Sequence, residues 1–553
     1  MTSIHDQRPW LAHYAAGRPH DIVPEHSNTL EMFAASVRRG PNAPILRYFD
    51  GVLTTRRLDA LSDAFACGLL DAGVKGGDRV ALYLQNVPQF VIALLGVWKA
   101  GGIAVSVNPM NKAREVDELL RDSGARAVVC LESLYANVRP VFDGPVITTS
   151  ETRYQSRDDP RALDGATAVD CPGAQDMEEL IARFEGRRPP EVAPGPDDVA
   201  VLTYTSGTTG PPKGAMATHG NIVFNAQTYR DWMDVGPRDV ILGVAPLFHV
   251  TGLVGHIALC LLTGAPLVLL HRFEPTLVID AIRETGATFT VGSITVFIAL
   301  MNAPNADRDA LATLTRVCSG GAPIPPGTLR ELASRFGVRV HNIYGLTETT
   351  SPSHAVPLGA DAPVDRISGA LSVGVPVFNT TVRVIGEDGG ELPPGQIGEL
   401  IVSGPQVVPG YWGKPEETAM AIRGGALRTG DLGYMDADGW FYVVDRKKDQ
   451  INAGGYKVWP REVEDVLHEH RAVREAAVVG VPDTYRGETV KAFVSLRPGA
   501  AVTPAELVDF CKARLAAYKY PREVEILGEL PKTGSGKLLR RELRDRGRAQ
   551  AGT

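Results

Sequence analysis

Hydrophobic and polar positions follow two different spacings along the first 145 residues of the chain. Apolar residues recur at helical spacing over 58–70 and 90–99. They alternate with short apolar runs, at 79–84 and 103–107, that are typical of buried strands. Because alternating helices and strands indicate α/β layers, the pattern predicts an α/β fold for this part of the chain.

Further along, a short apolar strand at 199–204 runs directly into a loop of Gly, Ser and Thr residues. The composition changes near residue 445, where a charged run at 445–449 is expected to form an exposed, solvated connection. The other predicted elements are a helix at 325–336, a strand at 338–344, a helix at 460–470, strands near 475 and 490, a helix at 504–517 and a strand at 523–527. We therefore predict a large domain of residues 1–445 and a small α+β domain of residues 446–553.

The composition narrows the class of protein. A length of 553 residues predicts three to four domains or subdomains, and the 44% hydrophobic and 22% charged residues are typical of globular chains. A net charge of −7 gives no support for a nucleic-acid partner. The six cysteines form no CxxC pair, which argues against a zinc module and suits a reducing compartment. No signal-peptide core or transmembrane segment is evident, so we expect a cytoplasmic protein.

One glycine-rich string carries candidate chemistry. Residues 204–214 read Tyr-Thr-Ser-Gly-Thr-Thr-Gly-Pro-Pro-Lys-Gly, in which hydroxyls, backbone N–H groups and a lysine can surround phosphate oxygens. A Walker A motif requires Gly and Ser or Thr where this string has Pro212 and Gly214. The later turn that ends at Lys537 also fails as a Walker A motif, because it has Pro531 in place of glycine. The string therefore predicts a phosphate site of another kind.

Eight short motifs, the first of which is this string, follow one another along the chain. They are 204–214, Pro-Leu-Phe-His at 246–249, Ser-Gly-Gly-Ala-Pro at 319–323, Tyr-Gly-Leu-Thr-Glu at 344–348, Thr-Gly-Asp at 429–431, Asp445-Arg446 with Lys448, Gly454-Gly455 and Gly536-Lys537. In this set the chain resembles the adenylate-forming superfamily of acyl-CoA synthetases, aryl-CoA ligases, peptide-synthetase adenylation domains and firefly luciferase. The resemblance extends from about residue 30 to 545, and its motifs are most similar to those of fatty-acid or aryl-acid CoA ligases.

The resemblance implies a fold and a two-step reaction. The fold class would be α/β and α+β, with an N-terminal region of two α/β subdomains plus a β-rich subdomain, and a small mobile α+β C-terminal domain. In the first step a carboxylate attacks the α-phosphate of ATP and pyrophosphate leaves. In the second step a thiol attacks the acyl-adenylate. The implied partners are a small-molecule carboxylic acid, ATP, Mg²⁺ and coenzyme A, and a homodimer is compatible with the resemblance.

For the first step the resemblance implies a set of phosphate contacts. The implied groups are Thr205, Ser206, Gly207, Thr208, Thr209 and Lys213. Glu348, with Thr205, would hold Mg²⁺, a hard ion that suits phosphate oxygens. Thr347 would donate to the α-phosphate. Lys537 would bridge the attacking carboxylate and the α-phosphate, where it stabilises charge that builds only in the transition state.

The implied nucleoside contacts come from three motifs. The adenine would lie along the backbone of Gly320, Gly321 and Ala322, against the ring of Tyr344 beside Gly345, with its amino edge facing Asn342. Asp431 would hold both ribose hydroxyls, because a carboxylate accepts several hydrogen bonds at once. Arg446 would reach the ribose or the phosphates.

The second step would use other groups at the same carbonyl. The resemblance implies Lys448 as the hinge of the mobile domain, and Gly454 and Gly455 as the wall of a narrow pantetheine tunnel. Arg272 would face the phosphates of CoA, and His249 would close the acyl site. Some aryl-CoA ligases carry a lysine where this chain has Asn452 or Gly454, so their CoA contacts do not transfer as a whole.

The segments 250–257 and 292–297 are apolar and offer no cation for a second carboxylate, so a fatty or aromatic acid is favoured. Other functions stay open. One is an enzyme that passes the acyl group to a carrier-protein thiol or an amine, although an amino-acid substrate would call for an Asp that 245–264 lacks. A luciferase-like oxygenase shares the adenylation half. A nucleotide-binding protein without catalysis is disfavoured because Lys537 and Glu348 are both present.

Overall fold

A computed structural model describes residues 4–166, 168–205, 212–365, 370–446, 449–453, 456–483, 487–533 and 538–551. Within these ranges the chain forms four β-sheets with helices packed on them. The α-helices are Thr29–Arg39, Thr55–Asp71, Pro88–Lys99, Ala113–Ser123, Pro160–Leu163, Met177–Arg183, His219–Met233, Val250–Gly252, Leu259–Thr263, Pro275–Thr285, Ile294–Met301, Pro326–Phe336, Pro415–Ala421, Pro460–His468, Pro504–Lys512 and Arg540–Ala551. None of the described helices is both long enough and apolar enough to cross a membrane.

The first sheet confirms the α/β prediction for the N-terminal part of the chain. Its strands, in order across the sheet, are Gln175–Asp176, Val146–Thr149, Ala125–Leu131, Arg79–Tyr83, Ile103–Ser106, Val199–Thr205 and Lys213–Thr218. All of these pair in parallel except the last two, which are antiparallel across the glycine-rich loop. Parallel neighbours need crossover connections, and the helices between the strands provide them.

The second sheet places several motifs along one edge. Its strands, in order, are Val375–Pro376, His354–Ala355, Val340–Tyr344, Arg316–Ser319, Phe289–Gly292, Ile241–Leu242, Leu267–Leu269, Pro44–Tyr48 and Gly51–Thr54. Three neighbouring parallel strands of this sheet end at Gly292, Ser319 and Tyr344. Because parallel strands share one carboxyl edge, the chain that follows each of them converges there, as in other open α/β sheets that bind ligands.

A continuous hydrophobic core joins these two sheets to the third one. The third sheet consists of Thr381–Ile385, Gly398–Ser403, Ala426–Met435, Ile422–Arg423 and Phe441–Arg446, which all pair antiparallel. This sheet is the β-rich part that the resemblance implied. Asp431 and Arg446 pair between the strands Ala426–Met435 and Phe441–Arg446, so two separate motifs are neighbours in the backbone.

The fourth sheet forms the core of the C-terminal part. Its strands are Tyr456–Val458, Ile451–Ala453, Gly487–Leu496, Val473–Asp483 and Glu523–Ile526. The predicted helix at 504–517 ends earlier, at Lys512. Its apolar pattern continues past that point because Leu515 and Tyr518 pack against the same core from the turns that follow.

The prediction of an exposed, solvated connection at 445–449 is wrong for its two ends. Asp445 and Asp449 are only 8% and 9% exposed. The backbone N–H of Arg461 donates to the Asp445 carboxylate at 3.2 Å, and Arg544 donates to Asp449 at 2.7 Å. Buried carboxylates of this kind require partners, and both aspartates find them in the C-terminal part of the chain.

Candidate active site

Two residues that the resemblance assigned to the nucleoside form a Tyr–Asp pair. Tyr344 ends the strand Val340–Tyr344, and its hydroxyl donates to Oδ2 of Asp431 at 2.7 Å. Asp431 lies in the strand Ala426–Met435 and is only 4% exposed. The structure thus brings together two residues that the resemblance assigned to one nucleoside, although 87 positions separate them in the chain.

The segments that the resemblance assigned to adenine, 320–322 and Gly345, are rich in glycine. A Cβ atom at Gly320 would stand 2.6 Å from the carbonyl oxygen of Ile343, so the close approach of the two strands requires glycine there. Gly321 has φ +76°, and the half-buried Ala322 follows it. At Gly345 a Cβ would come to 3.1 Å from the Cα of Pro352. The glycines therefore let backbone, rather than side chains, face this part of the site.

Asn342 is more constrained than the sequence suggested. It is 5% exposed, and its amide group donates to the carbonyl of Ser372 at 2.8 Å. The sequence left open whether Asn342 donates or accepts at the amino edge of adenine. This bond uses one of the two amide N–H groups, so the geometry is compatible with either role.

Two of the residues expected at the phosphates, Lys213 and Glu348, contact a tyrosine that the sequence analysis missed. The Nζ atom of Lys213, at the start of the strand Lys213–Thr218, lies 5.3 Å from the ring centroid of Tyr411. The Tyr411 hydroxyl donates to Oε1 of Glu348 at 2.7 Å. Burial and the charge of Glu348 both raise the pKa of Tyr411, so the hydroxyl keeps its proton and remains a donor. One ring therefore links the cation and the carboxylate.

Tyr411 had a weak signal in the sequence. It stands in Gly-Tyr-Trp-Gly at 410–413, where an aromatic pair is enclosed by glycines in a loop. Nothing local relates this loop to Glu348. Backbone hydrogen bonds hold the loop against the strand that carries Lys213. The N–H of Trp412 donates to the carbonyl of Gly214 at 2.8 Å, and the N–H of Met216 donates to the carbonyl of Gly410 at 3.0 Å.

Glu348 belongs to the short 3₁₀ helix Thr347–Thr349 and is half-buried. This helix packs against the two strands that carry Thr205 and Lys213. Ser206, Gly207, Thr208 and Thr209 lie outside the described residues. The described ranges contain no cluster of three or more His, Cys, Asp or Glu side chains that forms a metal site from protein groups alone. The carboxylate of Glu348 nevertheless fits Mg²⁺, which takes one or two protein carboxylates and the rest from phosphates and water.

His249 is the residue that the resemblance placed at the acyl site. Its Nδ1 accepts from the N–H of Thr251 at 3.3 Å, so the ring caps the helix Val250–Gly252. The helix continues as a π-helical turn, Leu253–Ala258, that contains His256. His256 is fully buried, its Nε2 accepts from the N–H of Ala245, and burial lowers its pKa to about 3. It is therefore neutral near pH 7 and supplies no positive charge.

The remaining candidate residues are Arg272, Arg446, Lys448, Gly454, Gly455 and Lys537. Arg272 is exposed and follows His271, which has φ +55° and pairs with Asn86. Lys448, Gly454, Gly455 and Lys537 lie outside the described residues, and only the backbone of Arg446 is described. Of the described residues that flank 534–537, Leu539 donates its N–H to the carbonyl of Pro531 at 2.9 Å.

The fold and the motifs together indicate an enzyme that binds an adenosine nucleotide. The chain belongs to the AMP-binding enzyme family, whose model matches residues 33–412, and the model of the family's C-terminal domain matches 462–537. A long-chain-fatty-acid–CoA ligase of Bacillus subtilis is 38% identical over 98% of each chain. A feruloyl-CoA synthase of an Amycolatopsis species is 36% identical over 92% of this chain and 97% of its own.

Among solved structures, ATP-bound MatB from Rhodopseudomonas palustris superposes with a TM-score of 0.83 at 28% identity, covering 94% of this chain and 99% of its own. These findings confirm the resemblance drawn from the motifs and the predicted class of fold. The protein is an ATP-dependent ligase that converts a carboxylic acid to an acyl-adenylate and then to an acyl-CoA thioester.

Proposed function

We propose that the acid is apolar, either a fatty or an aromatic acid. The observation that carries this proposal is the neutral, buried character of the acyl side. His256, the ionisable residue of 250–257, is uncharged near pH 7, and 292–297 contains no charged residue. A second carboxylate placed against these segments would lose its hydration without gaining a cation. The long-chain-fatty-acid and feruloyl-CoA relatives support the same substrate class.

In the first step two anions must meet, so the chain has to supply positive charge and donors around the phosphates. We assign Lys213, Thr205 and the loop 206–209 to the departing β- and γ-phosphates. Glu348, with Thr205, would bind Mg²⁺, which when bound neutralises phosphate charge. Tyr411 orients Glu348 through the 2.7 Å hydrogen bond, and Thr347 donates to the α-phosphate. Lys537 bridges the acid and the α-phosphate.

The nucleoside is held by Asp431 and Tyr344. The carboxylate accepts from the tyrosine hydroxyl and from the ribose hydroxyls together, since each oxygen has two acceptor sites. The tyrosine thereby sets the direction of the carboxylate while its ring faces the adenine. The backbone of 320–322 and Gly345, the amide group of Asn342 and the guanidinium of Arg446 complete this part of the assignment.

For the second step we propose that residues 446–553 rotate about Lys448 as a domain distinct from 1–445. The rotation would withdraw Lys537 and bring Gly454 and Gly455 to the acyl carbonyl as the wall of the thiol channel. We assign His249 to the acyl site, and the exposed Arg272 is available to the phosphates of CoA. A homodimer and a cytoplasmic location stay predictions.

A panel of carboxylic acids tests the proposed substrate class. Pyrophosphate release is measured with ATP and each acid, with and without CoA. Fatty and aromatic monoacids are expected to react, whereas dicarboxylates and amino acids of similar length are not. A better rate with a dicarboxylate would refute the apolar site. Turnover that is unchanged by CoA but rises with an amine or a carrier protein would favour the alternative acceptor.

Replacing Asp431 with alanine is expected to raise the KM for ATP and to change the KM for the acid much less. A ribose contact is made about equally in the ground state and the transition state, so binding suffers more than kcat. Asp436→Ala is a matched control on the same hairpin, because Asp436 also accepts from a tyrosine hydroxyl, that of Tyr442 at 3.1 Å. If both variants behaved alike towards ATP, Asp431 would have only a structural role.

A further inference from the structure

The turn that follows Glu348 has an unusual backbone. Thr350 and Ser351 have φ of +48° and +44°, a left-handed conformation that non-glycine residues rarely adopt, and here two of them are consecutive. Successive residues in this conformation point their carbonyls to one side. Strained backbone of this kind persists only where surrounding contacts enforce it, and it concentrates at functional sites.

The contact that faces these carbonyls is a single asparagine. Asn225 is fully buried in the helix His219–Met233. Its Nδ2 atom donates to the carbonyls of Thr349 at 3.0 Å and Thr350 at 2.8 Å, and it also contacts that of Ser351. A buried NH₂ group that meets three consecutive carbonyls stabilises this one conformation of the turn, since no ordinary helix or strand would present them together.

Other residues of the same helix secure the neighbouring segments. Asn221, one turn earlier, donates to the carbonyls of Pro405 at 2.7 Å and Val407 at 3.3 Å. The next residue, Val408, donates its N–H to the carbonyl of Glu348 at 3.0 Å. The two segments that supply Glu348 and Tyr411 are therefore both fastened to one face of the helix, by amides at positions i and i+4.

We propose that Asn225 is a positioning residue for adenylation. By enforcing the left-handed turn it fixes the preceding 3₁₀ helix, and hence Thr347 and Glu348, against the two strands that flank the phosphate loop. Asn225 does not touch the reacting atoms. The inference rests on the proposed role of Glu348 in the first step and adds the element that orients it.

The test uses Asn225→Leu in the full-length enzyme, which keeps the approximate shape and removes the donors. Acyl-adenylate formation is measured in single turnovers over a Mg²⁺ series, and thioester formation is measured from synthetic acyl-adenylate and CoA. Adenylation is expected to fall by about 10²-fold, the effect of a misplaced catalytic group, with a higher Mg²⁺ requirement. Thioester formation should stay near the parental rate.

Gln89→Leu is the matched control. Gln89 is also fully buried, and it also donates from its amide nitrogen to a backbone carbonyl, that of Ser150 at 2.8 Å. It lies away from the motifs, so its loss should lower the melting temperature without changing the ratio of the two half-reactions. Ser351→Gly added to Asn225→Leu should restore part of the adenylation rate, because glycine adopts a positive φ without help.

Equal losses in both half-reactions, or parental adenylation by folded Asn225→Leu, would overturn the inference. If that variant does not fold, Asn225→Ser, which keeps one donor, is measured in the same way and judged by the same ratio. Glu348→Gln is run in parallel. Parental adenylation by Glu348→Gln would refute the proposed role of Glu348 itself, whereas slow adenylation by it alone would refute only the positioning role of Asn225.

Discussion

Lys537→Ala is expected to lower the rate of acyl-adenylate formation by about 10²- to 10³-fold, the usual cost of removing one group that stabilises transition-state charge. Thioester formation from a synthetic acyl-adenylate should remain largely intact, because the lysine is assigned to only one half-reaction. Lys537 lies outside the described residues, which on either side of it include the paired Lys532 and Leu538. Single-turnover measurement of each half-reaction gives the two rates separately.

Lys532→Ala provides the control for this turn. Lys532 is five residues away and forms an ion pair with Glu475 at 2.5 Å, so its loss removes a similar charge from the same turn. We expect that variant to carry out both half-reactions. Formation of the acyl-adenylate at the parental rate by Lys537→Ala would show that the assignment of the catalytic cation is wrong.

Lys448→Pro is expected to leave adenylation working and to block the thiol step. Proline fixes φ near −65°, whereas a hinge works because a few residues absorb a large change in φ and ψ. The contacts on either side of Lys448 define where that change can occur. Asp449 is held by Arg544, within the proposed mobile domain, and Arg446 still pairs with Asp431 in the third sheet. A rotation between these two anchors would be concentrated at 447–448.

Lys448→Ala is the control, because it removes the same side chain and leaves the backbone free to rotate. That variant should complete both half-reactions. The measurement is single-turnover kinetics of each step beside a melting curve. Equal losses in both steps by Lys448→Pro, with an unchanged melting temperature, would contradict domain rotation about this residue.

Such a rotation would also have to change the hydrogen bonds of Arg461. Arg461 is the second residue of the helix Pro460–His468 in the C-terminal part, yet its backbone N–H donates to Asp445 and its guanidinium donates to the carbonyl of Val443 at 2.6 Å. These bonds cross the proposed hinge, so they must break or re-form when the domain turns. Charged residues in a local run appear solvated in the sequence, because the pattern contains no information on partners 16 or 95 residues away.

The sequence by itself determined the elements and the kind of chemistry. Helical and strand spacings are local properties, and they predicted the helices Thr55–Asp71 and Pro88–Lys99 and the strands Arg79–Tyr83 and Ile103–Ser106 to within a few residues. The composition of the phosphate string predicted a phosphate site, and the eight motifs indicated an adenylating enzyme through their resemblance to the adenylate-forming superfamily.

Only the tertiary structure decided how those motifs meet. Tyr411 reaches Glu348 across 63 positions, Tyr344 reaches Asp431 across 87, and Asn225 reaches Thr349 across 124. The left-handed turn at Thr350 and Ser351 contradicts the local preference of both residues and is enforced by a buried amide from another part of the chain. Spacing along a chain reports local periodicity, whereas burial and hydrogen bonding between distant segments depend on how the sheets pack, and that packing fixed the geometry of the site.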